Sequence, residues 1–458
     1  MSSINRRSFL ASAAALAAAP ALGAVPASGD VDVAIIGAGA AGIAAARKVA
    51  EFNRSFALLE AGDHVGGRCI TDTRSFGAPF DRGAHWIRQM DVNPVASLNK
   101  TSGFDVYPAP LGQKIRIGQR YAREGELEAF LANLVRANRA IADAAGRKTD
   151  VACAQALPPD LGAWAQTIGF VLGPYGTAKE LSAISAADFA KADRDHSGFC
   201  RQGYGTLLAR TARSLPVQLS TPALAIDWQR GLTITTPRGT INPRTIIVTA
   251  SVDVLTSGSL KFIPPPKRVL DAAAKLKLGS YERIALDLPG NPLGLASDDA
   301  VFEQAQDPKT AAMLANVSGS PLCFVDIGGN LARDLAMQGE KEMVAFALEW
   351  LAKIYGTDLK KSVREARATR WLKDPLVLGA WSSAAPGAQS ARRTLMEPVD
   401  DRIWFAGEAA HETLWGTVQG AWQSGERAAE GALRRIGAFK KPAASAAPAA
   451  KAAPSHRR

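Results

Sequence analysis

The sequence predicts an α/β protein: a Rossmann-like dinucleotide-binding domain with a GxGxxG turn, discontinuous in sequence, interleaved with an α+β domain. Three observations point there. The stretch VAIIGAGAAGIAAARKVA, Val33 to Ala50, passes from an apolar strand through Gly37, Gly39 and Gly42 into an Ala-rich helix, the arrangement that presents backbone N–H groups to a pyrophosphate. A second strand, SFALLEAG, ends in Glu60, close to the ~20 residues beyond such a turn where an acidic group receives ribose hydroxyls. A chain of 458 residues is too long for one simple core and suits two interleaved domains.

Taken in order, the first element is a leader. NRRSFLASAAALAAAPALGA joins a twin arginine, Arg6 and Arg7, to a weakly hydrophobic Ala-rich run with small residues near Ala24. Residues 1–27 therefore read as a twin-arginine export signal, which implies a periplasmic protein exported folded by the twin-arginine machinery. The first helix runs from Gly42 to about Phe52, and the second strand begins near Ser55. A carboxylate at Glu60 would repel a 2′-phosphate, so NAD or FAD is expected over NADP. From Pro94 to about Cys200 the pattern turns helical, as in LEAFLANLVRANRAIADAAG and TAKELSAISAADFAKA. Strands separated by Gly and Pro turns follow as far as TIIVTA. After PPPK come strands near YERIALDL, PLCFVDIG and ATRWL around a helix from Lys341 to Ile354, and a closing segment starts near Pro398.

Two blocks decide between NAD and FAD. GDHVGGRCITD and FDRGAHWI place Gly66, Gly67 and Arg68, then Gly83, Ala84, His85 and Trp86, just after the acidic strand end; DDRIWFAGEAAHETLWGTVQGAWQSGERAAEGAL, Asp400 to Leu433, closes the chain's ordered pattern. Over residues 30 to 435, in the same order, the sequence resembles the flavin-dependent amine oxidase family, flavin monoamine oxidase type. The resemblance implies an FAD-binding domain at 30–95, 201–262 and 395–436, and a substrate-binding domain at 96–200 and 263–394 with a helical insertion. It implies cofactor contacts at Gly37, Gly39, Gly42, Glu60, Ala61, Gly67, Arg68, Gly83, Ala84, His85, Trp86, Ala223, Trp371, Gly407, Glu408, Thr417 and Val418. Glu408 is expected beside the ribityl-phosphate region. The backbone at Thr417 and Val418, at a helix N-terminus, is expected at the flavin N1/C2 edge, where it would stabilise the negative charge of reduced flavin.

On the substrate side the family implies a pair of aromatic residues above the flavin and a lysine near N5. Trp381 in GAWSSAAPG matches one aromatic, whereas Thr417 holds the place of the other, so the cage is expected half open. In LGSYERIALDL the lysine's place is taken by Arg283, a fixed cation that cannot relay a proton. Arg283, Trp381 and Thr417 are the candidate catalytic residues. Ala380 stands where some members carry the cysteine that bonds the flavin, so FAD is expected to be noncovalent. The implied reaction is oxidation of a primary or secondary amine, with oxygen or another periplasmic acceptor taking the electrons. An L-amino-acid oxidase is the alternative, with Arg88 or Arg283 for the carboxylate because Trp86 fills the place of the usual arginine; a flavin-binding protein without turnover is the non-enzyme alternative.

Of the net charge of +11, five positive charges lie in the Ala/Pro/Lys tail and two at Arg6 and Arg7, leaving +4 for the body. The basic balance thus belongs to the ends and does not predict a nucleic-acid partner. Residues 437–458 read as a disordered basic tail. Cys69, Cys153, Cys200 and Cys323 have no ligand spacing; an oxidising compartment allows a disulfide, and buried free thiols fit equally. His64, His85, His196, His411 and His456 form no metal pattern, and no metal is expected.

Overall fold

The computed structural model describes residues 29–98, 102–193 and 197–438. The export segment, with Arg6 and Arg7, and the tail beyond Ala438 lie outside the described residues, as do His196 and His456.

The elements that position the site are, in chain order, β1 (Gly29–Ile36), α1 (Ala40–Glu51), β2 (Phe56–Leu59), β3 (Ile87–Arg88), α2 (Glu124–Ala145), α3 (Ala186–Lys191), β4 (Ser197–Cys200), β5 (Gly239–Val248), α4 (Val252–Ser257), β6 (Tyr281–Asp287), β7 (Leu322–Gly328), α5 (Glu340–Tyr355), β8 (Ile403–Phe405) and α6 (Val418–Arg435). An eight-stranded sheet is centred on β1, with β2 and β5 parallel on either side and β8 parallel to the end of β5. Its other strands lie at Val217–Gln218, Ala225–Asp227, Thr233–Thr236 and Lys261–Ile263. This is the mixed α/β architecture expected from the glycine turn.

Side chains of β1 alternate. Val33 and Ile35 pack toward α1 and α6 with Ala45, Val49, Ala429 and Leu433, while Ala34 and Ile36 face a second apolar layer with Leu276, Leu395 and Phe405. The two helices approach closely: a Cβ at Gly425 of α6 would stand 2.0 Å from the Ala41 carbonyl oxygen.

A seven-stranded sheet forms the second layer, in the order Glu365–Ala368, β6, β7, Ala312–Ala315, Asp299–Glu303, Lys114–Ile117, Arg120–Tyr121. β6 and β7 are antiparallel, with Tyr281 opposite Gly328 and Arg283 opposite Asp326. Helix α5 covers one face of this sheet with Met343, Trp350 and Leu351. Tyr281, Arg283, Phe324 and Asp326 project from the other. The helical stretch after Pro94 is less regular than its sequence pattern: α2 is long, but 177–192 breaks into a 3₁₀ turn at Leu181–Ala183 and the short α3. The Ser185 hydroxyl starts α3 by accepting from Asp188 N at 2.9 Å. ATRWL is likewise a strand only as far as Ala368.

Cys69, Cys153, Cys200 and Cys323 are all buried and free in this structure. Among the described residues no helix is long and apolar enough to cross a membrane.

The turn glycines have separate duties. A Cβ at Gly42 would lie 1.8 Å from the Gly37 carbonyl oxygen, and one at Gly37, where φ is +99°, would lie 2.5 Å from Thr249 Oγ1. At Gly39 the nearest atom to a Cβ is 3.9 Å away. Gly42→Ala should therefore destabilise the cofactor-free protein by at least about 1–3 kcal/mol through overpacking against backbone. Gly39→Ala should cost less than about 1 kcal/mol. Thermal or denaturant unfolding of the two variants checks the difference.

Candidate cofactor and amine site

The site begins where β1 and β2 end. Glu60 Oε2 accepts from Ala38 N and Oε1 from Gly62 N, both at 2.7 Å. An ionised carboxylate has about four acceptor positions, so ribose hydroxyls can share it. Ala61 follows directly, and the loop leading to Ala223 is tied in by Thr221 N, which donates to the Glu60 carbonyl at 2.8 Å.

The Gly66-Gly67-Arg68 loop leans on the turn. Gly66 N donates to Ala38 O at 2.9 Å, with φ of +110° at Gly66 and +57° at Gly67. Ala84 N in turn donates to Arg68 O at 3.0 Å. Between them Gly83 has no room for a side chain: its Cβ would be 2.0 Å from Arg68 O and 3.0 Å from the Trp371 ring. Trp371 holds its place by donating Nε1–H to Arg82 O at 2.9 Å.

Arg68 reaches across the chain. Its Nη1 donates to Ala380 O at 2.6 Å and to Glu408 Oε1 at 3.0 Å. Glu408 also accepts from Ser382 N, Ser382 Oγ and Gly416 N at 3.1, 2.8 and 3.0 Å. Burial alone would raise this carboxyl; Arg68, Arg392 and the Ser382 hydroxyl outweigh it and hold Glu408 below the usual carboxylate range. Arg392 is itself buried against Asp188 of α3, in a two-point pair at 2.7 and 2.8 Å. Gly407 borders the cleft, where a Cβ would meet nothing nearer than 3.9 Å.

Thr417 caps α6: its Oγ1 accepts from Gly420 N at 2.9 Å and donates to Leu414 O at 2.6 Å. Its hydroxyl is thus occupied by the helix terminus. Val418 opens an α6 first turn with no acidic residue, which leaves the helix's positive end uncompensated.

Trp381 stands beside this terminus, since a Cβ at Gly416 would lie 2.8 Å from its ring. Tyr281 packs on Trp381 with ring centroids 4.9 Å apart, and Tyr175 lies 6.3 Å from Tyr281. An aromatic corner therefore forms from Trp381 and Tyr281, where the sequence predicted Trp381 alone opposite Thr417. Tyr281 could have been found two residues before Arg283, on the same strand face.

Arg283 is buried and bound at two points to Asp326, at 2.8 and 3.1 Å, and its Nη1 donates to Asp81 O and Gly83 O at 2.9 and 3.1 Å. Burial opposes its charge, but Asp326 more than compensates and raises its pKa. The structure thus places Arg283 against the backbone of the Gly83–Trp86 segment as a matched cation. His85 Nδ1 lies 2.8 Å from Asp81 Oδ2, and its ring stacks on Phe199 at 4.6 Å. Asp326, Asp188 and Arg392, which lock these parts together, were missed because an ion pair across 43 or 204 positions has no local signature. Among the described residues no group of three or more metal-ligating side chains occurs.

Glu408 links cofactor site and stability. With its folded-state pKa depressed, its contribution is fully present above the ordinary glutamate range, about pH 4.3, and is lost as pH falls through the depressed value. Glu408→Gln should cost about 3–5 kcal/mol at pH 7, because Arg68 loses its anion and the Ser382 and Gly416 donors lose a charged acceptor. The gap from wild type should narrow below about pH 4, as read by melting temperature against pH.

The residues fit FAD. Gly39 and Gly407 leave space that a Cβ would fill, Glu60 keeps acceptor capacity, Arg68 supplies a planar cation, and Ala380 offers no thiol. Residues 40–433 match the family described as flavin containing amine oxidoreductase. The chain is 27% identical to polyamine oxidase 4 of Oryza sativa subsp. japonica, covering 88% of this chain and 89% of that protein. It is 25% identical to lysine-specific histone demethylase 2 of Homo sapiens, covering 89% of this chain but only 53% of that protein. The chain thus spans about half the length of the demethylase relatives and most of the polyamine oxidase. Among solved structures, cyclohexylamine oxidase from Brevibacterium oxydans superposes with a TM-score of 0.74 at 20% identity, covering 89% of this chain and 100% of that one. A redesigned putrescine oxidase superposes with a TM-score of 0.75 at 19% identity, covering 88% and 99%. These two likenesses establish the fold. The chain belongs to the flavin-containing amine oxidoreductases, and FAD, held without a covalent bond, is its cofactor.

Proposed function

We propose that the protein oxidises a primary or secondary amine, FAD accepting hydride at N5 from the amine's α carbon to leave an imine that water hydrolyses to an aldehyde or ketone. The observation that carries this reading is the contact of Trp381 with Gly416, which sets an aromatic wall against the N-terminus of α6. Glu60 takes the adenosine ribose hydroxyls and Arg68 offers its planar cation to the pyrophosphate. The α6 terminus favours negative charge beside it. Trp381 and Tyr281 hold the apolar part of the amine and disfavour its charged form by excluding water.

Arg283 keeps its proton at any working pH. Matched by Asp326 and tied to the Asp81 and Gly83 carbonyls, it moves no proton, and this supports an acceptor other than oxygen, such as a periplasmic cytochrome or quinone, alongside oxygen itself. The names of the relatives, polyamine oxidase and cyclohexylamine oxidase among them, support amines as the substrate class.

Anaerobic mixing of the FAD-loaded protein with a panel of amines and amino acids tests the reading. Bleaching of the flavin absorbance by at least one amine is expected, and none by any member of the panel would sink it. The twin arginine supports export of the folded, FAD-loaded chain to the periplasm. Replacing Arg6 and Arg7 together by lysine should leave the protein in the cytoplasm, and normal periplasmic recovery in cell fractionation would contradict this.

A further inference from the structure

We infer that Lys179 is a positioning residue of the amine site, holding the stretch that carries Trp381 against the strand that carries Tyr281 so that the two rings keep their corner. The inference rests on the amine-oxidation reading above. Cations from distant parts of the chain take the carbonyls around Trp381: Arg68 donates to Ala380 O at 2.6 Å, Arg392 to Ser382 O at 3.3 Å and Lys179 Nζ to Ser383 O at 2.9 Å. Ala384 N, next along, donates to Asp188 Oδ2 at 2.9 Å. Arg68 is paired with Glu408 and Arg392 with Asp188. The wall beside the α6 terminus is thus hung on charge-assisted bonds, of which Lys179 makes the last.

The residue before Lys179 reaches the other half of the corner. Ala178 O accepts from Ser280 N at 2.9 Å, and Ser280 directly precedes Tyr281. Ala178 is fully buried with φ of +61°, a left-handed conformation that residues with a side chain seldom adopt and that persists where the surroundings over-determine it. Its carbonyl goes to β6 and the Lys179 side chain to the Trp381 stretch. Those two segments meet directly at Gly279, whose N–H donates to Trp381 O at 2.9 Å and whose carbonyl accepts from Ala380 N at 2.8 Å. The dipeptide Ala178–Lys179 therefore braces the junction from the helical insertion, behind rings whose centroids are 4.9 Å apart. Burial pushes the Lys179 ammonium down to about 8 against the pull of Asp253 of α4; Arg392 lowers it further, while Glu408 and Asp188 oppose the fall. Unlike the two arginines, this donor can lose its charge, and an uncharged donor makes roughly half as strong a bond.

The FAD-loaded full chain and its Lys179→Met and Lys179→Arg variants are mixed without oxygen with whichever of pentylamine, benzylamine and cyclohexylamine reduces the wild type fastest. Flavin content and the limiting rate of flavin bleaching at saturating amine are read. Lys179→Met, which keeps the bulk and loses the donor, should retain its flavin and be reduced roughly tenfold more slowly, the effect of a displaced wall on a bound reactant. Lys179→Arg, which keeps a charged donor, should stay within about threefold of wild type near neutral pH. Both proteins meet the same amine, so the ratio of the wild-type rate to the Lys179→Arg rate is free of the substrate's own ionisation. That ratio should fall about two- to threefold between about pH 7 and about pH 9.5, as Lys179 gives up its proton and the arginine does not. A bond that merely stabilised the fold would leave the ratio flat. A flat ratio overturns the inference, as does Lys179→Met reduced as fast as wild type; if Lys179→Met does not fold or loses its flavin, the ratio decides alone. Variants that match a wild type bleached by amine remove only the role of Lys179, whereas a wild type bleached by none of the three takes this inference down together with the amine-oxidation reading.

Discussion

Glu408 is 6% exposed and takes hydrogen bonds from Arg68, from Ser382 twice and from Gly416, so its charge can be buried only where three distant stretches of the chain meet. An unpaired carboxylate at that depth would cost several kcal/mol. The requirement is passed on: Ser382 Oγ accepts from Arg392 Nη1 at 3.0 Å, and Arg392 pairs with Asp188. Alternating charges thus run from the nucleotide loop at Arg68, through the closing segment at Glu408, to the helical insertion at Asp188. Removing any one of them strands the next in an environment that cannot solvate it.

Arg283 and Asp326 make a second fastening of the same kind, between the roof of the site and its floor. The pair sits opposite in register on β6 and β7, and the guanidinium continues to the carbonyls of Asp81 and Gly83. A guanidinium has donors for all four of these acceptors at once, where an ammonium has three. Arginine at this position is therefore suited to bracing the Gly83–Trp86 backbone under the antiparallel sheet, a task its geometry performs without any change of protonation. Asp81, below it, is held under the usual range: burial would raise it, but the bonds from His85, Thr71 and Tyr204 N prevail.

Local chemistry made part of this legible in the sequence. The turn of Gly37, Gly39 and Gly42 could be read because crowding at 1.8 Å at Gly42 and a positive φ at Gly37 call for glycine there, and a glycine pattern after an apolar strand is visible in one short window. The same holds for α5, whose periodicity reflects burial of one face, and for β2, an unbroken apolar run because both of its faces are buried. The aromatic corner was not legible, because Trp381 and Tyr281 lie a hundred positions apart and each alone is an ordinary interior ring. Thr417 reads as a missing aromatic in sequence, yet in space its hydroxyl is a helix cap. Its short side chain serves the terminus of α6, and the wall it lacks is supplied from β6.

What brings β6 and the helical insertion together is again the absence of side chains. A Cβ at Gly328, opposite Tyr281 in register, would stand 2.0 Å from the Pro174 carbonyl oxygen, and one at Gly279 would stand 2.3 Å from that of Ala178. The π-helical turn Val171–Tyr175 can therefore settle directly on the strand ends where β6 starts and β7 stops, which carries Tyr175 to within ring contact of Tyr281 and Phe302. π turns recur at functional sites, and here the turn places the Tyr175 ring beside Tyr281, which packs on Trp381. The corner's rings are aromatic, but their spacing follows from two glycines that let backbone meet backbone. A methyl group at either would push the insertion outward and open the corner that Trp381 and Tyr281 form.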